Sequence, residues 1–139
     1  MPLPSHTTEI VVPFHDVDVM EVVWHGNYVK YLEIARCALL STFAYDYPQM
    51  RASGFAWPIV ECQLKYVRPA RYGQKLHVRA SVIEFENRLR IDYLLTDATS
   101  GERIAKALTT QVAVDLATGE MLFVSPPVLF ERLGQPVPR

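Results

Sequence analysis

Between Asn27 and Tyr45 the chain carries apolar residues at helical spacing around almost its whole circumference. Val29, Leu32, Ala35, Leu39 and Phe43 follow i, i+3 and i+4 steps, and Ile34, Ala38 and Leu40 widen that stripe. Lys30, Glu33, Cys37 and Ser41 leave only a narrow polar edge. A helix this apolar must be covered on most of its sides, so the rest of the chain has to supply the cover.

The rest reads as strands. Residues 8–14 (TEIVVPF) suit a first strand, with Pro13 placing its end at a sheet edge. A loop marked by Pro48, Gly54 and Pro58 follows the helix. Ile59 to Tyr66 is the next strand, closed by Arg68-Pro69. Lys75 to Phe85 sets Leu76, Val78, Ala80 and Val82 on one face, and its parity slips at Val82-Ile83, which predicts a bulge. Leu89, Ile91, Tyr93 and Leu95 alternate in another strand. Arg103 to Asp115 carries Ala105, Ala107, Thr109 and Ala113 on one face, small enough for something to pack closely. Thr118-Gly119 turns the chain into a short last strand, and residues 126–133 (PPVLFERL) end it in a helical turn or two. One long apolar helix followed by an antiparallel meander is an α+β pattern, with the twisted sheet wrapped round the helix. The 139 residues fit a single domain spanning 1–139. The strands are long for one such subunit, so a second copy is expected against a sheet face or edge, as a homodimer or homotetramer.

Composition narrows the function. Net charge is −1, which argues against a nucleic-acid partner. No run approaches the ~18 apolar residues of a membrane span. The N-terminus lacks a basic stretch followed by an apolar one, so no signal peptide is expected and the cytoplasm is the expected location. Cys37 and Cys62 lie in apolar segments without ligand spacing and read as buried free thiols. His6, His15 and His77 also lack ligand spacing, so no metal is expected. A Gly-rich phosphate loop and a G-x-S-x-G elbow are both absent.

The chemistry concentrates between Phe14 and Arg36. Asp18 is the second acid of a D-x-D and stands seven residues ahead of His25, where the helical pattern begins. A carboxylate there can activate water or attack a carbonyl directly, and the N–H groups opening the helix can hold the oxyanion. Asp16 reads as structural. Asn27 suits an N-cap as well as a ligand contact. Glu33 is placed to pair with Arg36 or Lys30.

The stretch D-x-D-x-x-x-V-V-x-H-x-N-Y, from Asp16 to Tyr28, resembles the hotdog-fold acyl-CoA thioesterases of the 4-hydroxybenzoyl-CoA thioesterase type, closest to the subgroup of Tol–Pal-associated enzymes. Tyr31-Leu32-Glu33-Ile34-Ala35-Arg36, Tyr66-Val67-Arg68-Pro69-Ala70-Arg71 and Asp115-Leu116-Ala117-Thr118-Gly119-Glu120 resemble further family segments in the same order. The resemblance implies a hotdog fold and hydrolysis of an acyl thioester. The substrate would be an acyl-CoA or an acyl carrier protein, with coenzyme A or phosphopantetheine as part of it and no separate cofactor. Asp18 matches the catalytic aspartate, as general base or nucleophile. His25 matches the position whose backbone N–H polarises the thioester carbonyl, and Asn27 and Tyr28 match the residues that open the helix. The family commonly has glycine where this chain has Met20 and Glu21, so these two are expected beside the acyl path. Coenzyme A phosphates would need cations, and Arg68, Arg71 and Arg88 are the leading candidates, with Lys75 and Arg90 behind them. Two other readings remain open: a hotdog 3-hydroxyacyl thioester dehydratase using His25 with Glu33, and a non-catalytic acyl-binding subunit.

Overall fold

The computed structural model describes residues 2–138. In chain order its elements are β1 (Ser5–Val11), α1 (Tyr28–Ser41), α2 (Tyr47–Ala52), β2 (Phe55–Ala56), β3 (Ile59–Tyr66), β4 (Lys75–Glu84), β5 (Leu89–Asp97), β6 (Arg103–Gln111), β7 (Val114–Asp115) and α3 (Pro127–Arg132). Single 3-10 turns at Phe14–Asp16 and His25–Asn27 flank the segment that leads into α1.

Five strands make one antiparallel sheet in the order β1-β4-β5-β6-β3, and β2 pairs with β7 beside it. Period-2 alternation sends one set of side chains inward. Leu76, Val78, Ala80 and Val82 of β4, Leu89, Ile91, Tyr93 and Leu95 of β5, and Ala105, Ala107 and Thr109 of β6 are all buried. The register puts Ala80 and Ala107 on either side of Tyr93, so two small residues make room for one large ring. The Tyr93 hydroxyl meets Thr109 Oγ1 at 2.7 Å, which satisfies it inside the core. Helix α1 lies across this face, over β1 and β4, and buries Tyr28, Tyr31, Leu32, Ala35, Leu39 and Leu40. Each such large apolar side chain contributes about 1.5–3 kcal/mol through burial. One helix packed into an antiparallel sheet in this way is the hotdog arrangement.

The strands of the main sheet follow the expected pattern closely, including the bulge, where the β4–β5 register slips between Val82 and Glu84. Five local features differ. The strand expected over Arg103–Asp115 ends at Gln111, and Val114–Asp115 leaves the main sheet to pair with β2. The first strand is Ser5–Val11, not 8–14: Pro13 has no N–H to continue the ladder, and the polar residues before Ile10 pair with β4 through backbone and through side chains such as Ser5 Oγ with Ser81 Oγ at 2.8 Å. The helix stops at Ser41, where Ala44 takes a positive φ of 55° and the Tyr45 N–H returns to the Leu40 carbonyl at 3.1 Å. The loop after it contains α2. The expected last strand is reduced to one bridge between Val114 and Met121.

Cover over α1 is one-sided within this subunit. Val29 and Ile34 are exposed on the helix, and Ile59, Val60 and Tyr66 are exposed on the edge strand β3. Cys62 is exposed on that same strand, against the expectation of burial, and Cys37 is half-buried; both are free thiols. No helix among the described residues is long and apolar enough to cross a membrane.

Candidate active site

Residues 16–24 form a small hairpin folded back against the head of α1. Val17 bridges Val23, the Asp18 N–H donates to the Val22 carbonyl at 2.9 Å, and the Trp24 N–H donates to the Asp16 carbonyl at 3.0 Å. The tip is a tight turn closed by the Glu21 N–H on the Asp18 carbonyl at 2.9 Å. That turn needs a left-handed residue before the second arm, and Glu21 supplies it with φ of 64°. Val19 and Met20 project from the tip and are almost fully exposed, and Glu21 is exposed beside them.

Asp18 therefore sits one position below the tip, half-buried. Its Oδ1 accepts the Met20 N–H at 2.8 Å, which fixes the rotamer and leaves Oδ2 without a hydrogen-bond partner among the described residues. From Asp18 back to Trp24, where the chain enters the helix, is about 7 Å of strand.

The helix head starts one turn earlier than Asn27. Trp24 holds the extended cap position, and the 3-10 turn His25–Asn27 runs directly into α1. The His25 and Gly26 N–H groups find no backbone or side-chain acceptor among the described residues, as expected for the first donors of a helical segment. Asn27 makes no side-chain cap; its Nδ2 instead donates to the Asp16 carbonyl at 2.9 Å and ties hairpin to helix. The Trp24 indole lies over Gly26, where an added Cβ would come within 2.2 Å of the ring. The His25 imidazole, exposed, packs beside Trp24 and edge-on to Tyr66, and the Tyr66 hydroxyl donates to the His25 carbonyl at 2.9 Å.

Asp16 is buried and fully engaged. Lys30 Nζ reaches its Oδ1 at 2.5 Å and the Tyr31 hydroxyl donates to its Oδ2 at 2.7 Å. Burial pushes its carboxyl up, but the hydrogen bonds from Lys30 and Tyr31, helped by the lysine charge, outweigh that and hold it below the ordinary aspartate value. Tyr31 moves the opposite way: burial and the bond to Asp16 raise its phenol well above the ordinary value.

The loop between β3 and β4 backs the hairpin. The Val23 N–H donates to the Ala70 carbonyl at 2.8 Å, and Val22 bridges Arg71. Tyr28 is a core residue here: its hydroxyl accepts the Ala70 N–H at 3.2 Å and its ring packs against Tyr31 and Tyr66.

The cationic candidates separate. Arg71 lies beside the hairpin, exposed, with no carboxylate partner among the described residues. Arg68 is paired with Glu102 at 3.1 Å. Arg88 sits in the turn after β4, paired with Glu84 at 2.6 Å, at the far end of that strand from the hairpin. That is roughly 30 Å of strand away. Glu33 is exposed and bound to Arg36, about 12 Å along the axis from His25, so the structure does not bring these two together as an acid–base pair. The larger grooves also lie elsewhere. One of about 510 Å³ is lined by Arg88 and Phe123, one of about 450 Å³ by Arg79, Asp92 and Lys106, and one of about 440 Å³ by Tyr47, Phe55 and Trp57.

Sequence reasoning placed Asp18 and His25 on one unit, but it missed Trp24, Tyr66, Lys30 and Tyr31. The legible signal for Trp24 was the glycine two residues on, which leaves room for the indole.

A family model described as the thioesterase-like superfamily matches residues 12–138. A Synechocystis relative, sll0410, is 32% identical over 120 residues, covering 86% of this chain and 72% of that protein. The long-chain acyl-CoA thioesterase FadM of Escherichia coli is 29% identical over 116 residues, covering 83% of this chain and 87% of that one. The crystal structure of a 4-hydroxybenzoyl-CoA thioesterase variant with 4-hydroxybenzoyl-CoA superposes with a TM-score of 0.81, covering 94% of this chain and 99% of that one. At 19% identity, that last likeness concerns the fold alone.

Proposed function

The chain belongs to the thioesterase-like superfamily, and from that premise we propose that it hydrolyses acyl thioesters, with Asp18 as general base or nucleophile and the His25–Gly26 N–H groups as the oxyanion site. The substrate is an acyl-CoA or an acyl group on a carrier protein, and the product is a free carboxylic acid. In the general-base route Asp18 takes a proton from water as the water oxygen bonds to the thioester carbon. The carbonyl becomes an oxyanion facing the helix head. Collapse breaks the C–S bond, and the Asp18 proton goes to the departing thiolate. In the nucleophilic route an Asp18 carboxylate oxygen bonds to the thioester carbon and the C–S bond breaks, expelling the thiolate and leaving a mixed anhydride. Water then opens the anhydride, freeing the carboxylic acid and the Asp18 carboxylate, and the proton it gives up goes to the thiolate.

One observation carries this reading. Among the described residues, Asp18 presents an unengaged carboxylate oxygen on a hairpin tied to a helix head whose first N–H groups are unpaired. Thioester carbonyls have little resonance stabilisation, so one carboxylate and one such oxyanion site suffice. Arg71, beside the hairpin and without a carboxylate partner among the described residues, is the residue we assign to a coenzyme A phosphate.

Replacing Asp18 with asparagine keeps its size and the Met20 contact, so the fold should survive while kcat falls by at least about 10². Thiol release from a panel of short, long and aromatic acyl-CoAs measures this. Near-wild-type turnover by Asp18→Asn would remove the assignment, and Glu21→Gln, expected to have the smaller effect, is the control. A wild type inactive across the panel would favour the non-catalytic acyl-binding reading.

We also propose a homodimer as the working unit. The exposed β3 edge and the uncovered Val29–Ile34 side of α1 leave backbone and apolar surface open on the same chain. Sedimentation velocity should show at least a dimer at micromolar concentration; an active monomer there would overturn it.

A further inference from the structure

We infer that Asp16 is a positioning residue for the proposed reaction: its buried carboxylate sets the angle between the Asp18 hairpin and the helix head that would hold the oxyanion. The inference rests on the hydrolase reading above and concerns the residue that holds its two halves in register.

Asp16 makes the base of the hairpin. Its carbonyl accepts both the Trp24 N–H at 3.0 Å, within the hairpin, and Asn27 Nδ2 at 2.9 Å, from the helix side. Its carboxylate accepts Lys30 Nζ at 2.5 Å and the Tyr31 hydroxyl at 2.7 Å, both from the first turn of α1. Three of these four bonds cross from the hairpin to the helix, and all three converge on one residue. Asp18 is two residues farther along the same arm, so a small rotation about the Asp16 anchor is carried directly to its carboxylate. Displacements of about 1 Å at a reacting group cost rates on the order of 10²-fold.

Charge explains why this anchor is an aspartate. A buried carboxylate is unfavourable unless it is paired and hydrogen-bonded. Here it has an ammonium, a phenol and the positive end of a helix. In return it neutralises Lys30, a cation placed in the first helical turn, where the helix dipole disfavours it. Asparagine in its place has one acceptor oxygen and one NH2 group. Its oxygen can accept from Lys30 and its NH2 can donate to the Tyr31 hydroxyl, but it carries no charge, so Lys30 is left without its counter-ion and both bonds lose the charge of the carboxylate. The exposed His15 ring is also close, with Nε2 at 3.6 Å from Oδ1.

The test compares Asp16→Asn, Tyr31→Phe and Asp18→Asn by steady-state kinetics and by amide hydrogen exchange. For Asp16→Asn, kcat should fall at least about tenfold while KM stays within about threefold, and exchange should quicken at Asp18 and Trp24 but not across β4 and β5. Tyr31→Phe deletes one hydrogen bond without removing the ring. It should lower kcat in the same direction by a smaller factor, and it keeps the inference testable if Asp16→Asn does not fold. Faster exchange at Asp18 and Trp24 with kcat unchanged would overturn the positioning role. So would a uniform rise in exchange across the sheet, which marks general destabilisation. If Asp18→Asn is also fully active, the hydrolase reading fails as well; if only Asp16→Asn is active, this inference fails alone.

Discussion

Replacing Glu21 with glycine should stabilise the protein, although glycine usually does the reverse. Glu21 holds φ at 64°, in the left-handed region, and both neighbouring hydrogen bonds depend on it staying there: its own N–H on the Asp18 carbonyl, and Asp18 N–H on the Val22 carbonyl, each 2.9 Å. A side chain with a Cβ costs about 1–2 kcal/mol in that conformation. Glycine removes that cost but adds about 0.5–1 kcal/mol of chain entropy to the unfolded state. The exposed Glu21 side chain makes no hydrogen bond or ion pair among the described residues, so nothing else is lost. The net is a gain of about 0.5–1 kcal/mol, or a rise in Tm of roughly 2–4 °C for a chain of this size. Urea denaturation with thermal unfolding by circular dichroism reads it. Glu21→Ala, which keeps the Cβ, should change stability by less than about 0.5 kcal/mol. Ala44, with φ of 55° in the turn after α1, is a second site of the same kind and should respond to glycine in the same direction. If Ala44→Gly stabilises and Glu21→Gly does not, the strain at Glu21 is offset by something other than backbone, and the argument from φ fails there.

Gly26→Ala should drive the Trp24 ring off the helix head, because the new methyl would fall within 2.2–2.7 Å of three ring carbons. Tryptophan emission should shift to the red, since Trp24 is already half-exposed and the other tryptophan, Trp57, is buried; an unshifted spectrum would mean the ring does not rest on Gly26. At acid pH the loop after β5 should weaken. Hydrogen bonds from the Ser100 backbone, the Gln74 side chain and the Thr99 backbone hold the Asp97 carboxyl down at about 2, against an ordinary 3.8. A depressed carboxylate contributes stability above its unfolded value and loses it as pH falls through its folded one. Wild-type stability should therefore drop between pH 3.8 and about 2 more steeply than that of Asp97→Asn, and parallel urea-unfolding curves for the two would refute it.

The sheet was legible because the inner residues of β5 and of most of β4 alternate, and the one slip in β4 marks its bulge. Leu89, Ile91, Tyr93 and Leu95 read as a strand from periodicity alone, and Ile59–Tyr66 emerged with both ends in place. The helix α2 was missed because its signal is polar. Asp46 accepts the Tyr47 N–H, Gln49 returns to the Asp46 N–H, and Pro48 sits in the first turn, which together make a capping box on only six residues. Proline, read as a loop marker, was in this position a helix starter.

The candidate site was legible as a carboxylate ahead of a helix head and not beyond, and the reason is the hairpin. Asp18 and His25 stand out by spacing from the helical pattern, and spacing along one chain survives folding when the segment is short. What spacing cannot state is that residues 16–24 double back, so that Asp16, read as structural, ties the hairpin to the helix and Val22-Val23-Trp24 becomes the second arm. The turn chemistry that announces such a hairpin is normally a glycine at the left-handed position. Here that position is Glu21, so the strongest local sign of the reversal is missing, and tertiary bonds to Ala70, Asn27, Lys30 and Tyr31 hold what the turn residue alone would not. A turn that departs from the favoured residue, beside the carboxylate proposed here as catalytic, is where local and global preferences conflict. Glycine at Glu21 should make the hairpin easier to read and easier to form.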